Sequence, residues 1–118
     1  MPWDIEFDEA FEPEFEQFSK AVQDKAYAII QVLEHFGPTL GRPKVDTLND
    51  SKHDNMKELR FSVDKEVWRM AFAFDPKRTA ILLVAGDKAG KNKKLFYKSL
   101  IRIADKRYGK HLKKIAKD

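Results

Sequence analysis

Two arginines, Arg60 and Arg69, lie in adjacent segments whose residues alternate between apolar and polar types, as strands do. The two segments, 56–63 and 66–74, are joined only by Asp64-Lys65. A link this short requires an antiparallel hairpin. A two-residue turn at that point places Arg60 directly opposite Arg69, with both side chains on the same face of the predicted sheet. The spacing therefore predicts a cationic site on the sheet.

Two facing positive charges are unfavourable unless an anion lies between them. One candidate is internal, because Glu58 lies two residues from Arg60 on the same face. The other is an external phosphate, which arginines bind through two parallel hydrogen bonds. Because two arginines outnumber the one nearby acid, the balance of charge favours the external phosphate.

The sequence offers little support for other kinds of catalytic site. The three histidines, His35, His53 and His111, are scattered and lack metal-binding spacing. There is no cysteine, and the basic loop around Lys88 and Lys91 lacks the glycine spacing of a nucleotide-binding loop. We therefore expect no metal and no cofactor.

RNA cleavage by the RNA's own 2′-hydroxyl suits a cluster of arginines and lysines that has no metal. The attack passes through a highly anionic transition state, which fixed cations stabilise more than the ground state. A lysine crowded by other cations has a lowered pKa and can act as a general base.

The elements that must hold these residues predict one α+β domain over 1–118, with the order β-α-α-β-β-β-α. Gly37-Pro38 ends the second helix, and the polar segment 39–55 is predicted as a long loop. Tyr97 falls on the apolar face of the last helix and is interpreted as core. The predicted strands are Trp3–Phe7, Met56–Val63, Glu66–Phe74 and Thr79–Ala85. The predicted helices are a short one with Phe7, Phe11, Phe15 and Phe18 along one face, then Val22–Phe36 and Lys93–Lys110.

Charge is distributed unevenly along the chain. Residues 1–18 contain seven acidic and no basic residues, whereas residues 88–118 contain twelve Lys/Arg against two Asp. Such asymmetry indicates either a nucleic-acid or acidic partner, or lysines that simply solubilise a small domain. We expect no signal peptide and no membrane span, and the absence of cysteine fits a cytoplasmic protein.

Short motifs along the whole chain resemble the HigB-like branch of the RelE/ParE toxin superfamily. Each is brief, but their joint order and spacing are specific. They are Gly37-Pro38, Leu40-Gly41-Arg42-Pro43, Lys57-Glu58-Leu59-Arg60, Arg69 with Phe72-Ala73-Phe74-Asp75-Pro76, Ala80-Ile81-Leu82-Leu83 and Gly86-Asp87-Lys88.

The resemblance implies a RelE-like fold and the toxin of a type II toxin–antitoxin system. Such toxins cut mRNA on the ribosome without a metal and are neutralised by an antitoxin, in this branch often a helix-turn-helix protein. The resemblance gives Arg60 and Arg69 the role of sheet cations at the scissile phosphate. Lys88 occupies the basic position after the central strand, and Lys57 is a further catalytic candidate, although its parity places it on the opposite face.

Other basic residues are candidates for RNA binding, and the proton-transfer groups are left open. RelE carries a tyrosine soon after the last basic position and some HigB toxins a histidine, whereas Lys94 falls at that spacing here. The acid and base are to be sought among Lys57, Lys88, Lys94 and His53. The RNA-binding candidates are Arg42, Lys44, His53, Lys91, Lys93 and Lys94.

Two other functions are compatible with the same residues. One is a non-catalytic inhibitor of DNA gyrase, as in ParE-type relatives, and the other is a non-toxic basic RNA-binding domain. The clustering of Arg60, Arg69 and Lys88 favours cleavage, since a protein that only binds does not need cations gathered on its sheet.

Overall fold

The computed structural model describes residues 2–117, which form a five-stranded sheet with helices on both faces. The elements in chain order are β1 (Asp4–Phe7), α1 (Phe11–Glu16), α2 (Lys20–Phe36), a 3-10 turn (Gly37–Thr39), β2 (Val45–Thr47), β3 (Met56–Val63), β4 (Glu66–Phe74), β5 (Thr79–Asp87) and α3 (Lys93–Ala116). The strands lie side by side in the order β1-β5-β4-β3-β2. No helix in the described range is long and apolar enough to cross a lipid bilayer.

The hairpin of β3 and β4 has the predicted register, with Arg60 paired to Arg69. Its two turn residues, Asp64 and Lys65, both have positive φ (48° and 73°). That backbone matches the right-handed twist of the flanking strands. A register shift at Ala71/Phe72 affects only the pairing of β4 with β5, so the arginine pair is undisturbed.

Two features of the sheet and one of the last helix differ from the sequence-based prediction. The segment 39–55 contains β2, which pairs antiparallel with β3 at one edge; a strand of three residues is too short to show alternation. At the other edge β1 pairs parallel with β5. The last helix continues to Ala116 and does not stop at Lys110.

The sheet separates two hydrophobic cores, because alternate residues of each strand point to opposite faces. On one face α1 and α2 cover residues such as Leu59 and Phe72, and on the other α3 covers residues such as Met56 and Leu83. Glu58, Arg60 and Asp46 share the face that α3 covers, as the strand pairing requires. The last helix therefore forms one wall of the site.

The position of α3 is fixed at both ends. Asn92 caps its first turn by accepting a hydrogen bond from Leu95 N. Further along, Arg107 donates to the carbonyl of Leu83 and forms an ion pair with Glu14. Near the C-terminal end, His111 Nε2 lies 2.9 Å from the buried carboxylate of Asp75.

Candidate active site

The carboxylate of Glu58 lies between the two arginines. Arg60 Nη2 donates to Glu58 Oε2 at 2.8 Å, and Arg69 Nε lies 3.7 Å from Glu58 Oε1. The Glu58 side chain is only 3% exposed, whereas those of Arg60 and Arg69 are 31% and 14% exposed. The carboxylate therefore forms the floor of the site, and the arginines form its accessible layer.

The internal carboxylate already lies between the arginines, so the charge count in the sequence does not by itself establish an external anion. The count omitted Asp46, which β2 places opposite Glu58. Asp46 Oδ2 lies 3.2 Å from Arg60 Nη2. Because carboxylates of the protein contact both Arg60 and Arg69, like-charge repulsion alone does not require an external anion.

Tyr97 packs its ring against the core under α3, as the sequence predicted, and its hydroxyl also reaches the site. Its hydroxyl donates to Glu58 Oε1 at 3.0 Å, and the guanidinium of Arg69 lies 5.7 Å from its ring centroid. Burial raises the pKa of the Tyr97 phenol, and the neighbouring Glu58 carboxylate raises it further. The core assignment rested on the apolar neighbours of Tyr97 in the sequence. Two of them on the same helix, Phe96 and Ile101, are indeed buried.

Two depressions lined with basic side chains flank the arginine pair. The larger, of about 950 Å³, contains Arg60 and Tyr97, and its wall is formed by Lys93, Lys94, Lys98 and Arg102 from α3 and by residues 47–50. The smaller, of about 400 Å³, contains Arg69 with Lys65, Lys88 and Lys91. The structure therefore brings Lys88, Lys91, Lys93 and Lys94 to the arginine pair.

Three other sequence candidates lie elsewhere. Lys57 is on the opposite face of the sheet, where its Nζ contacts Thr47 Oγ1, so it does not join Arg60. The ring of His53 packs edge to face with that of Tyr108, with 5.0 Å between the ring centroids, and it lines a separate depression. Lys44 lies just before the edge strand β2 and receives a backbone hydrogen bond from Arg60 N through its carbonyl.

Arg42 is connected to the site only indirectly. Its Nε contacts Asp46 Oδ1 at 3.1 Å, and Asp46 in turn contacts Arg60. The backbone N–H of Thr47 and the Arg42 guanidinium hold the pKa of Asp46 below its ordinary value, since both donate hydrogen bonds to its ionised form. Asp46 therefore stays ionised as a partner of Arg42 and Arg60.

The arrangement suits stabilisation of an anion and transfer of a proton. Arg60 and Arg69 converge on one point of the sheet with part of each guanidinium accessible. The hydroxyl of Tyr97 donates a hydrogen bond to Glu58, which leaves its oxygen lone pairs available to accept another proton. Within residues 2–117 no three acidic or histidine side chains converge on a common point.

The chain is similar in sequence to two putative toxins of one bacterium. The chain is 49% identical over 87 residues to the putative toxin HigB2 of Mycobacterium tuberculosis, and 50% identical over 99 residues to the putative toxin HigB3 of the same organism. The matches cover 73% and 80% of this chain, and 43% and 84% of the respective relatives. The chain thus spans less than half the length of HigB2.

A solved structure and a family model complete the comparison. A free-state variant of the Escherichia coli toxin RelE superimposes with a TM-score of 0.60 at 12% identity, covering 86% of this chain and 95% of RelE. At that identity the likeness shows the fold. The family model described as Phage derived protein Gp49-like (DUF891) matches residues 13–109. With the HigB relatives beside it, the chain belongs to this Gp49-like family of HigB-type proteins.

Proposed function

We propose that the chain is the toxin of a type II toxin–antitoxin system and that it cuts mRNA on the ribosome without a metal. The observation that supports this most directly is the set of Arg60, Arg69, Glu58 and Tyr97, joined by short contacts and flanked by lysines. The names of the HigB2 and HigB3 relatives support the toxin role. A toxin with this target acts in the cytoplasm, and a cognate antitoxin neutralises it.

In the proposed reaction, Arg60 and Arg69 bind the two non-bridging oxygens of the scissile phosphate. The 2′-hydroxyl oxygen attacks the adjacent phosphorus, and the bond from phosphorus to the 5′-oxygen breaks. Negative charge on the equatorial oxygens increases in the transition state, so the two guanidinium groups stabilise it more than the bound substrate. The products are a cyclic phosphate and a 5′-hydroxyl.

Tyr97 and Glu58 form the proposed path for the proton. The Tyr97 oxygen accepts the proton of the 2′-hydroxyl while its own proton passes to Glu58 Oε1, 3.0 Å away. This exchange avoids a free phenolate, which the raised pKa of Tyr97 disfavours. Lys88 or Lys94, in the flanking depressions, supplies the proton to the departing 5′-oxygen. After the cleavage Glu58 releases its proton to solvent and the lysine takes one up.

The experiment that tests this function is expression of the wild type, Arg69→Ala and Lys25→Ala, with primer extension on mRNA from the induced cells. We expect growth arrest and discrete mRNA ends for the wild type and for Lys25→Ala, an exposed cation on α2. Arg69→Ala should abolish the ends and keep the fold, since Arg60 and Tyr97 still contact Glu58.

The result also separates the alternatives. Growth arrest with intact mRNA and trapped complexes of gyrase and DNA would replace the proposal by a ParE-like mode of action. Growth without arrest, with soluble protein present, would leave a non-toxic RNA-binding domain as the function.

A further inference from the structure

Six cations follow one another along the solvent-facing side of α3: Lys94, Lys98, Arg102, Lys106, Lys110 and Lys113, here called the α3 stripe. All six are exposed. Residues four apart are neighbours on a helix surface, so the first five form a continuous row, which winds slowly around the helix by about 40° per step. Lys113 lies two turns beyond Lys106 on nearly the same line. At about 1.5 Å per residue the row is about 28 Å long.

The α3 stripe is not neutralised by the protein. None of its six residues forms an ion pair within residues 2–117, whereas two other cations of the same helix do. Arg107 pairs with Glu14, and Lys114 pairs with Glu9. The acidic N-terminal segment is therefore matched to one side of α3 and leaves the other side free.

The one acid of α3 within the described residues is engaged by a loop and not by the stripe. Asp105 accepts hydrogen bonds from Ser51 Oγ and from Lys52 N. These contacts tie the segment before β3 to the helix and occupy the carboxylate. The local field along the α3 stripe is therefore strongly positive.

The α3 stripe begins at the candidate active site and leads away from it. Arg102 lines the large depression that contains Arg60, and it also lines another depression further along α3, of about 660 Å³. This depression further along α3 contains Lys106, Lys110 and Lys113 together with Lys52 and His53. A ligand bound along the stripe would therefore extend beyond the residues that contact the scissile phosphate.

We propose that the α3 stripe binds the phosphate backbone of an RNA duplex, as a second binding surface outside the cleavage site. The choice of RNA rests on the proposed function. A continuous, gently winding row of cations suits the regularly spaced phosphates of a duplex, which proteins recognise by shape and backbone contacts. Binding a single strand usually requires aromatic side chains for stacking, and the stripe has none.

The composition of the stripe argues against a protein partner. Protein interfaces are depleted of lysine and are centred on buried apolar or aromatic anchors. The large apolar side chains that are exposed in the described range are Tyr27, Phe36, Val67 and Leu95. Leu95, the one carried by α3, lines a separate depression beside β5.

The test measures binding of a fluorescent RNA hairpin, with a stem of about 20 base pairs and a short loop, by anisotropy at several salt concentrations. The probe variant is Lys106→Gln with Lys110→Gln, since neither residue lines the depression that contains Arg60. The matched control is Lys20→Gln with Lys25→Gln, which removes the same charge from exposed positions on α2. Circular dichroism verifies that both variants are folded.

We expect the probe variant to reduce the slope of log K against log salt by about two and to weaken binding about ten-fold or more near physiological salt. The control should stay within about two-fold of the wild type. Equal effects of the two variants, or no effect, would overturn the proposal. So would a wild type that ignores the hairpin but binds an acidic peptide through Lys106 and Lys110.

These outcomes are independent of cleavage. A wild type that cuts no mRNA but binds the hairpin through the stripe would contradict the proposed function and support this inference. A wild type that cuts mRNA and shows no role for Lys106 and Lys110 would do the reverse.

Discussion

Glu58 is the residue on which the candidate active site depends, because it contacts three functional side chains at once. Its carboxylate neutralises the facing arginines, which would otherwise repel each other, and it orients the Tyr97 hydroxyl. A buried carboxylate that holds a catalytic group in position is a recurrent device in enzymes. Asp46 contacts Arg60 but not Tyr97, so it provides a matched comparison.

We predict that Glu58→Gln lowers the cleavage rate about 100-fold and that Asp46→Asn changes it far less. The glutamine keeps the size of the side chain but cannot take the proton from Tyr97. Rates with saturating mRNA and ribosomes, measured beside binding, distinguish a loss in proton transfer from a loss in affinity. Equal rates for Glu58→Gln and the wild type would exclude the Tyr97–Glu58 proton path.

The same variant should lower the pKa of Tyr97. In the wild type, burial and the Glu58 charge both raise that pKa above its ordinary value. The protonated phenol is therefore favoured by folding, and this contribution to stability is lost as the pH rises through the folded pKa. Ultraviolet titration of each variant, with Tyr97→Phe as the reference, should give a lower phenol pKa for Glu58→Gln and little change for Asp46→Asn.

At the residue level, the sequence predicted the facing arginines but not their surroundings. The two-residue turn determined which residue faces Arg60, and the structure confirmed the pair. Asp46 was missed because its strand has only three residues. Tyr97 was assigned to the core because a tyrosine that contributes its ring to packing and its hydroxyl to a site has the same apolar neighbours as a core residue.

Two glycines play opposite parts in the helices that frame the sheet. Gly37 ends α2 with a positive φ of 58°, and a Cβ there would collide with the indole of Trp3. Gly109 lies inside α3, and a Cβ there would meet nothing within 4 Å. Gly37 is therefore required by the backbone, whereas Gly109 only weakens its helix.

We predict that Gly37→Ala lowers the free energy of unfolding by about 2 kcal/mol or more, through left-handed strain together with the clash. Gly109→Ala should raise it by up to about 1 kcal/mol, since alanine is the better helix former. Urea unfolding of both variants beside the wild type measures the two changes. A stabilised Gly37→Ala would show that the α2 terminus does not need this backbone conformation.

Elements with strong local signals were predicted closely, and those that depend on distant partners were not. The bounds of β3 and β4 follow from alternation and a tight turn, and they match the structure. The last turns of α3 are held by contacts with remote acids, including Asp75 and Glu9. Such contacts leave no mark in the local sequence, so the helix was predicted to end too early.

At the scale of the whole molecule, one sheet is shared by two cores, and the site needs both faces of that sheet intact. The arginines come from the strands, whereas Tyr97 and the α3 stripe come from the helix on one face. If α3 unfolded separately, Tyr97 would leave Glu58 while the arginine pair stayed folded. The complete site therefore persists up to the unfolding of the domain only if the helix and the sheet unfold together.

We predict a single cooperative transition, which two core variants can test. Leu83 is buried under α3, and Leu33 is buried on the opposite face of the sheet. Either change to alanine should cost about 2–5 kcal/mol. Because the strands are common to both cores, tryptophan fluorescence from the α2 side, where Trp68 packs, should report the same midpoint as circular dichroism in both variants.

Separate midpoints in Leu83→Ala alone would instead reveal an α3 that unfolds before the sheet. In that case the loss of cleavage on mild heating should follow the dichroism and not the tryptophan signal, because Tyr97 would be withdrawn first. Coincident midpoints in both variants would mean that damage to either core disables the site through global unfolding. The coupling of Tyr97 to Glu58 would then be as stable as the domain itself.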